Sequence, residues 1–536
     1  MKAQADGQTD GQTAGLPQVY PTVVHMLEAA SRRMPDHVAL VCEDEQLTYR
    51  EYAACVAGLA HELRGAGLGA GQRVALLMDN SLDAAIAMFA VQAAGAQVVP
   101  LNPAYTVSEL RQILSSAQAQ GVIHDEAAAS VLAQTGYDFR LRLAVGAGHA
   151  PAQAPRLLRW RHDLALGAAS GLQGLPLPEP DSPATLQYTG GTTGTPKGVS
   201  LTHRAVSVNV SQREALLPTC FGQERVLAMT PLFHVYAVSM GLHLAAYACS
   251  TLVILPRYRP DAVLHAIARH RITLMAASPT ILAGLLAYEG LAPAQLSSLR
   301  VCYSGSAALA QHTLQRWEAA TGCMVCEGYG QTEAGPVLTY NPCTGLRKAG
   351  TVGIAVPATT IQIVDGQSGT QVLGVGQAGE IRAHGPQLMT GYLGMPVETA
   401  SVLRDGWLYT GDIGYLDEDG YLTICDRKKE MVIVSGFNVY PREIEDVLLG
   451  HPAVAQAAVI GVPDAYRGES LLACVVASVD VAGEGAAQDL EANLQQHLQQ
   501  HLVKYKWPAR LVLLDDLPKT SVGKVDKKRL KAMYAA

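Results

Sequence analysis

The sequence carries little charge and no excess of positive sign: 16% of its 536 residues are Asp, Glu, Lys or Arg, and the formal net charge is −7. With a pI near 6.1 there is no basic field to hold a nucleic-acid backbone. Any polyanionic ligand must be gripped by local features. Paired metal-type cysteines are also missing. The ten cysteines are scattered singly apart from Cys323-x-x-Cys326, which lacks a second pair. They read as reduced thiols, and Cys323, Val325 and Cys326 as apolar strand residues rather than a redox or zinc site. The basic-then-apolar order of a signal peptide is absent, and residues 1–18 read as a mobile tail. The most membrane-like stretch, 238–255, contains Gly241, His243, Ser250 and a β-branched end. It fits a buried helix running into a buried strand better than a span. A cytoplasmic protein is the expectation.

What is present is apolar bulk, 49% of residues, in a chain long enough for about three or four modules. Helical periods alternate with short Val/Ile/Leu runs from residue 21 onward. Residues 83–94 read as a helix, and 73–77, 97–101, 121–124, 272–276, 299–303 and 324–327 as strands. That alternation predicts an α/β fold of open layers. Residues 351–391 change to short β-like pieces punctuated by Gly366, Gly369, Gly374 and Gly376, which suggests a small β-barrel or sandwich. A second break falls at Asp426-Arg-Lys-Lys-Glu430. Beyond it a compact α+β module is expected, with a helix starting at Pro441, strands at 454–462 and 471–479, and a helix marked by Leu490, Leu494, Leu498 and Leu502. The expected domains are therefore 19–425, large and layered, and 426–536, small and mobile. His497-Leu-Gln-Gln-His501 has metal-like spacing but no glutamate beside the first histidine, so both histidines read as a solvated face.

The chemistry starts at Tyr188-Thr-Gly-Gly-Thr-Thr-Gly-Thr-Pro-Lys-Gly198. This is not a Walker A loop: Lys197 follows Pro196, and Gly198 stands where Ser or Thr would be. Its physics is similar. Gly190, Gly191 and Gly194 let backbone N–H groups turn toward an anion, Thr189, Thr192, Thr193 and Thr195 add hydroxyl donors, and Lys197 adds charge.

Read with the segments that follow it in order, this run resembles the adenylate-forming superfamily of acyl-CoA synthetases, luciferases and peptide-synthetase adenylation domains. The matching segments are Pro231-Leu-Phe-His-Val235, Gly328-Tyr-Gly-Gln-Thr-Glu333, Tyr409-Thr-Gly-Asp412, 426–445 and Pro518-Lys-Thr-Ser-Val-Gly-Lys524. The resemblance covers nearly all of the chain beyond the first twenty or so residues. It implies an acid–CoA ligase that uses ATP, Mg²⁺ and coenzyme A, makes an acyl-adenylate, and then a thioester. One anion must attack another, so catalysis is mainly charge neutralisation and alignment.

The resemblance also implies roles. Glu333 would hold Mg²⁺ against the phosphates, with Thr332 and Thr192 near them. Tyr329 would stack on adenine beside the backbone of Gly328 and Gly330, although a core tyrosine would look the same in isolation. Asp412 would accept both ribose hydroxyls, or else cap a turn. Arg427 would contact the nucleotide, and Lys524 would bridge carboxylate and phosphate during adenylation. The C-terminal domain would rotate about Lys429, withdrawing Lys524 and presenting Ser435, Gly436 and Phe437 to the pantetheine arm.

The run 426–445 and Pro231-Leu-Phe-His-Val-Tyr-Ala237 look closest to bacterial medium- or long-chain fatty acid–CoA ligases. His234 would gate an acyl pocket among Tyr236, Ser304, Gly305, Ala307 and Gly330. No charged residue enters that set, which suits an apolar tail. Gly305-Ser-Ala-Ala-Leu309 departs from the family's Gly-Ala-Pro-Leu, so pocket shape stays open. Aryl acids of cinnamate or benzoate type, and loading of a carrier protein in place of CoA, remain alternatives. The expected partners are thus a small carboxylic acid, ATP and CoA, with no nucleic acid and no transmembrane span; peripheral membrane contact and a homodimer are both compatible.

Overall fold

The computed structural model describes residues 15–145, 171–189, 196–366, 368–435, 437–464, 468–478, 486–519 and 525–534. Two large sheets carry most of the chain. The first has nine strands, and six neighbours in it run parallel: Met324–Gly330, Val301–Ser304, Leu274–Ala277, Arg225–Ala228, Thr251–Ile254 and Val38–Cys42. The second has seven, with Pro183–Thr189, Gln97–Leu101, Arg73–Leu77, Gly121–Asp125 and Leu141–Val145 parallel. Most are short apolar runs that lose both faces to packing, as strands covered by helices on each side must, while Leu141–Val145 is only partly buried. Helix Leu82–Ala93 lies between the layers and buries every residue except Asp83. A helix apolar all round has no solvent face to offer, so it belongs in the interior.

The small β unit expected from 351 is a five-stranded antiparallel sheet of Thr360–Val364, Gly379–His384, Trp407–Leu416, Leu403–Arg404 and Leu422–Arg427. After it, residues 432–534 form a fourth sheet with its own apolar clusters. Ile444, Leu448, Leu494 and Leu498 meet Val459 and Ala473 in one, and Leu472, Cys474, Leu517 and Leu530 form the other. The leucines at 490, 494 and 498 turn inward from helix Ala486–His501, and buried Leu502 follows its end. Pro441 opens helix Pro441–Leu449 at its first turn, where its missing N–H is no loss.

Several expectations change in detail. The 238–255 stretch is buried as expected, but its helical part contains a π-helical turn, Val238–His243, before strand Thr251–Ile254. Among the described residues no helix is long and apolar enough to cross a membrane. His497 is not on a solvated face: its Nε2 meets the Val447 carbonyl at 3.1 Å and its ring lies beside that of His451. Of the expected tail, residues 1–14 lie outside the described residues, while the Pro17 carbonyl already accepts from Ser211 Oγ at 2.9 Å.

Helix His203–Leu216 joins these layers. It is buried along most of its length although it carries Ser207, Asn209, Ser211, Gln212 and Arg213. Asn209 replaces a missing strand partner: its Oδ1 accepts from Val337 N (2.9 Å) and its Nδ2 donates to Val337 O (2.8 Å). Gln212 Nε2 donates to the Pro357 carbonyl, Thr359 Oγ1 and Gln387 Oε1. Asn209→Ala leaves the Val337 N–H without its partner and its carbonyl with the longer bond from Gln387 Nε2 at 3.4 Å. The expected loss is about 2–3 kcal/mol of stability, read as a lower unfolding midpoint in urea with an unchanged slope.

Candidate active site

Parallel strands Val301–Ser304 and Met324–Gly330 end side by side, with Ser304 in register with Glu327. Ligands of open α/β sheets bind beyond such carboxyl ends. The second strand can approach its neighbours only because it ends in glycines. A Cβ at Gly330 would stand 1.8 Å from the Pro336 carbonyl oxygen, and one at Gly328 would stand 2.5 Å from the Tyr340 ring. Between them Tyr329 Oη donates to Asp412 Oδ2 at 2.6 Å. Asp412 follows Gly411, at φ +73°, and pairs in register with Arg427, whose Nε lies 4.0 Å from Oδ1. Burial raises the Asp412 pKa, while Tyr329, Arg427 and Lys429 all favour its carboxylate. Lys429 is shifted down, by burial first and then by the charge of Arg427. Its neighbour Lys428 is tied to Glu380 at 2.8 Å. Four predicted residues, Tyr329, Asp412, Arg427 and Lys429, therefore form one electrostatic group.

The phosphate-type run is flanked by strands Pro183–Thr189 and Lys197–Thr202, which pair antiparallel up to Thr189 and Lys197. Gly190, Gly191, Thr192, Thr193, Gly194 and Thr195 lie outside the described residues. Strand Gly391–Tyr392 pairs with Lys197–Thr202. That pairing puts the Tyr392 ring 4.9 Å beneath Lys197 Nζ and lets Tyr392 Oη donate to Glu333 Oε1 at 2.9 Å. The Glu333 carbonyl accepts from Met389 N at 2.9 Å. Thr332 begins the short 3₁₀ turn that holds Glu333, and both are partly exposed. Lys197 also contributes to the lowered Lys429 pKa, so the loop base and the Asp412 group share one field. Tyr392 is a site residue that the motifs missed. Its part depends on a pairing nearly two hundred residues long, and nothing in its local sequence signals it.

On the acid side, His234 Nδ1 accepts from Tyr236 N at 3.3 Å and caps the short helix Val235–Ala237. Buried Tyr236 donates to the Tyr303 carbonyl at 3.1 Å, and its Oη lies 3.4 Å from that of Tyr340. Gly305 lies against this ring, where a Cβ would come within 3.1 Å. Ser304 is buried, and its Oγ has no partner among the described residues. Ala307 is exposed, next to Ser306 at φ +72°. His234, Tyr236, Ser304 and Gly305 are thus grouped, with Ala307 at the rim.

From the last hundred residues, Lys524 and Gly436 lie outside the described residues. Ser435 has φ +51°, and exposed Phe437 stacks on Tyr505 with ring centroids 4.6 Å apart. Lys527 meets Glu445 at 2.7 Å and Glu430 at 3.5 Å. Burial opposes its charge, but these carboxylates hold its pKa above the usual value. Among the described residues, no three His, Cys, Asp or Glu side chains gather as metal ligands. A single carboxylate, Glu333, suits an ion bound largely through substrate phosphates.

A family model described as AMP-binding enzyme matches residues 27–393, and one described as AMP-binding enzyme C-terminal domain matches 443–524. The chain belongs to the AMP-binding enzyme family. A long-chain-fatty-acid–CoA ligase of Bacillus subtilis is 36% identical across 96% of this chain and 95% of its own. A feruloyl-CoA synthase of Amycolatopsis is 35% identical across 94% and 97%. Among solved structures, ATP-bound MatB of Rhodopseudomonas palustris is 31% identical with a TM-score of 0.84, covering 96% of this chain and 99% of that one. The α/β layers followed by a separate C-terminal sheet are the architecture of this family.

One buried acid lies just under the site. Glu327, on the nucleotide-side strand, accepts from Leu309 N at 2.9 Å, and burial pushes its pKa up to about 7. The folded state therefore binds a proton that the unfolded chain releases above its usual 4.5. Stability should fall as pH rises through that window, by about 3 kcal/mol in all. Glu327→Gln keeps an acceptor for Leu309 without the charge. Thermal unfolding of the two proteins from pH 5 to 8 should show the variant gaining on the parent as pH rises; parallel curves would refute the assignment.

Proposed function

We propose that this AMP-forming acyl-CoA synthetase activates a medium- or long-chain fatty acid: it joins the acid to AMP with release of pyrophosphate, then transfers the acyl group to CoA. The observation that carries the nucleotide part is the shared field of Lys197, Tyr392 and Glu333 with Tyr329, Asp412 and Arg427. Asp412 accepts the ribose diol, with Tyr329 beside the adenine and Gly328 and Gly330 leaving room for its edge. Arg427 and Lys197 offset phosphate charge from two sides, Thr189, Thr192 and Thr332 donate hydroxyls, and Glu333 holds Mg²⁺. When bound, Mg²⁺ supplies charge neutralisation at the phosphates. Lys524 aligns the acid's carboxylate with the α-phosphate.

The domain from 426 onward then turns about Lys429, exchanging Lys524 for Ser435, Gly436 and Phe437 at the thiol entrance. His234 stands at the mouth of the acid pocket, held by the Tyr236 N–H. The fatty acid assignment is supported by the uncharged lining and by the Bacillus subtilis relative. An aryl acid is the second reading, favoured by the feruloyl-CoA synthase relative and by the adjacent hydroxyls of Tyr236 and Tyr340.

Pyrophosphate exchange across saturated C8–C18 acids, benzoate and cinnamates, with free CoA present and AMP and thioester both scored, tests the assignment. Fatty acids should be turned over fastest; faster aryl acids would shift it to the second reading. Acyl-AMP that accumulates despite CoA would point to a carrier protein as acceptor. Lys524→Ala should lower adenylation by about 10²-fold or more and spare thioester formation from supplied acyl-AMP. Equal loss in both half-reactions would count against the domain exchange.

A further inference from the structure

Cys326 belongs to the one close cysteine pair of the sequence, yet its neighbour in space is a different thiol. Its Sγ lies 3.6 Å from Cys343 Sγ, whereas Cys323 Sγ donates to the Met324 carbonyl. Cys326 is buried on strand Met324–Gly330, and Cys343 is part-exposed just beyond strand Val337–Tyr340. The pairing of Gly328 with Tyr340, extended by Asn341 N donating to Glu327 O, brings both sulfurs to one end of the ladder. A disulfide is about 2.05 Å long, so closing the 3.6 Å gap takes about 1.5 Å of relative movement.

The surroundings favour one anionic sulfur. Arg213 is fully buried, and its Nε and Nη1 have no partner among the described residues. The hydrogen bond with Cys326 lowers the Cys343 thiol from its usual value, and Arg300, Arg213 and Arg347 act in the same direction against burial. The same hydrogen bond, then burial, drives Cys326 upward. Part-exposed Cys343 is the sulfur that a small oxidant reaches, with buried Cys326 beside it to resolve the product. Each of the three arginines also pairs with a carboxylate, Arg213 with Glu214, Arg300 with Glu224 and Arg347 with Glu318.

We propose that Cys326 and Cys343 form a hydroperoxide-reactive dithiol whose closure to a disulfide slows adenylation. The Cys343 thiolate attacks the peroxide's terminal oxygen, forming an S–O bond as the O–O bond breaks, and the leaving alkoxide takes a proton to become ROH. The Cys326 sulfur then attacks the sulfenic sulfur, and its proton leaves with the hydroxyl as water. Overall two thiols lose two electrons and two protons, and the hydroperoxide is reduced to alcohol and water. A dithiol reductant reverses the change. The effect reaches the site because Cys326 lies on the strand that delivers Tyr329 to Asp412.

The test treats the full-length reduced protein with hydrogen peroxide and maps its peptides without reduction. A linked Cys326–Cys343 pair short of two hydrogens is expected, with pyrophosphate exchange lowered about tenfold or more, the scale on which small displacements at a site act. Reduction should restore both. Cys343→Ser and Cys326→Ala should resist peroxide, and Cys220→Ser, which removes an exposed thiol, should stay sensitive. Peptide maps lacking this link, or peroxide loss equal in all variants, would overturn the dithiol. A link without any change in exchange would overturn its control of adenylation. The activity arm rests on the ligase assignment and the linked peptide does not, so the two can fail separately.

Discussion

Polar side chains on a helix buried along most of its length set the relation between the sheets. Helix His203–Leu216 offers amides and hydroxyls where an interior helix would ordinarily offer leucine, and buried polar groups are costly unless partnered. Each group is met by a different part of the chain: Ser207 by the Tyr20 carbonyl, Asn209 by both backbone groups of Val337, and Gln212 by Pro357, Thr359 and Gln387. Apolar packing would accept many small rotations of these layers. Directional bonds accept few, and the strands that end at the nucleotide side inherit that precision.

The same logic operates at the site. Asp412 lies on the small antiparallel sheet and Glu333 in the short turn after strand Met324–Gly330, yet each is held by a tyrosine hydroxyl, Tyr329 for one and Tyr392 for the other. The positive groups around them, Lys197, Arg427 and Lys429, belong to strand Lys197–Thr202, a β-strand end and the turn that follows it. Their charges reach one another across a partly dry space, where electrostatic terms are larger than in water. This is a suitable setting for bringing a carboxylate and a polyphosphate together.

Much of this was legible in the residues. The strands at 73–77 and 97–101 fall where the apolar runs predict them, and the leucines at four-residue spacing bury as one face. The ordered motifs named Tyr329, Asp412 and Arg427 as members of one site, and they are in contact. Sequence failed where an assignment depended on distant pairing. Tyr392, Asn209 and Gln387 carry no local signature, since their partners are chosen by the register of strands far away in the chain. His497 failed for the opposite reason: flanking glutamines suggested water, while the facing helix supplied a carbonyl.

The glycines at the strand ends decide where a change of sequence can be absorbed. A Cβ at Gly330 would strike the Pro336 carbonyl and one at Gly328 the Tyr340 ring, while at Gly305 the Tyr236 ring would have to give slightly. Tyr236 in turn bonds the Tyr303 carbonyl and lies beside the Tyr340 hydroxyl. A change at any one of these positions is therefore passed on to the strand that carries Tyr329, so the ring contacts and that backbone cannot be altered independently.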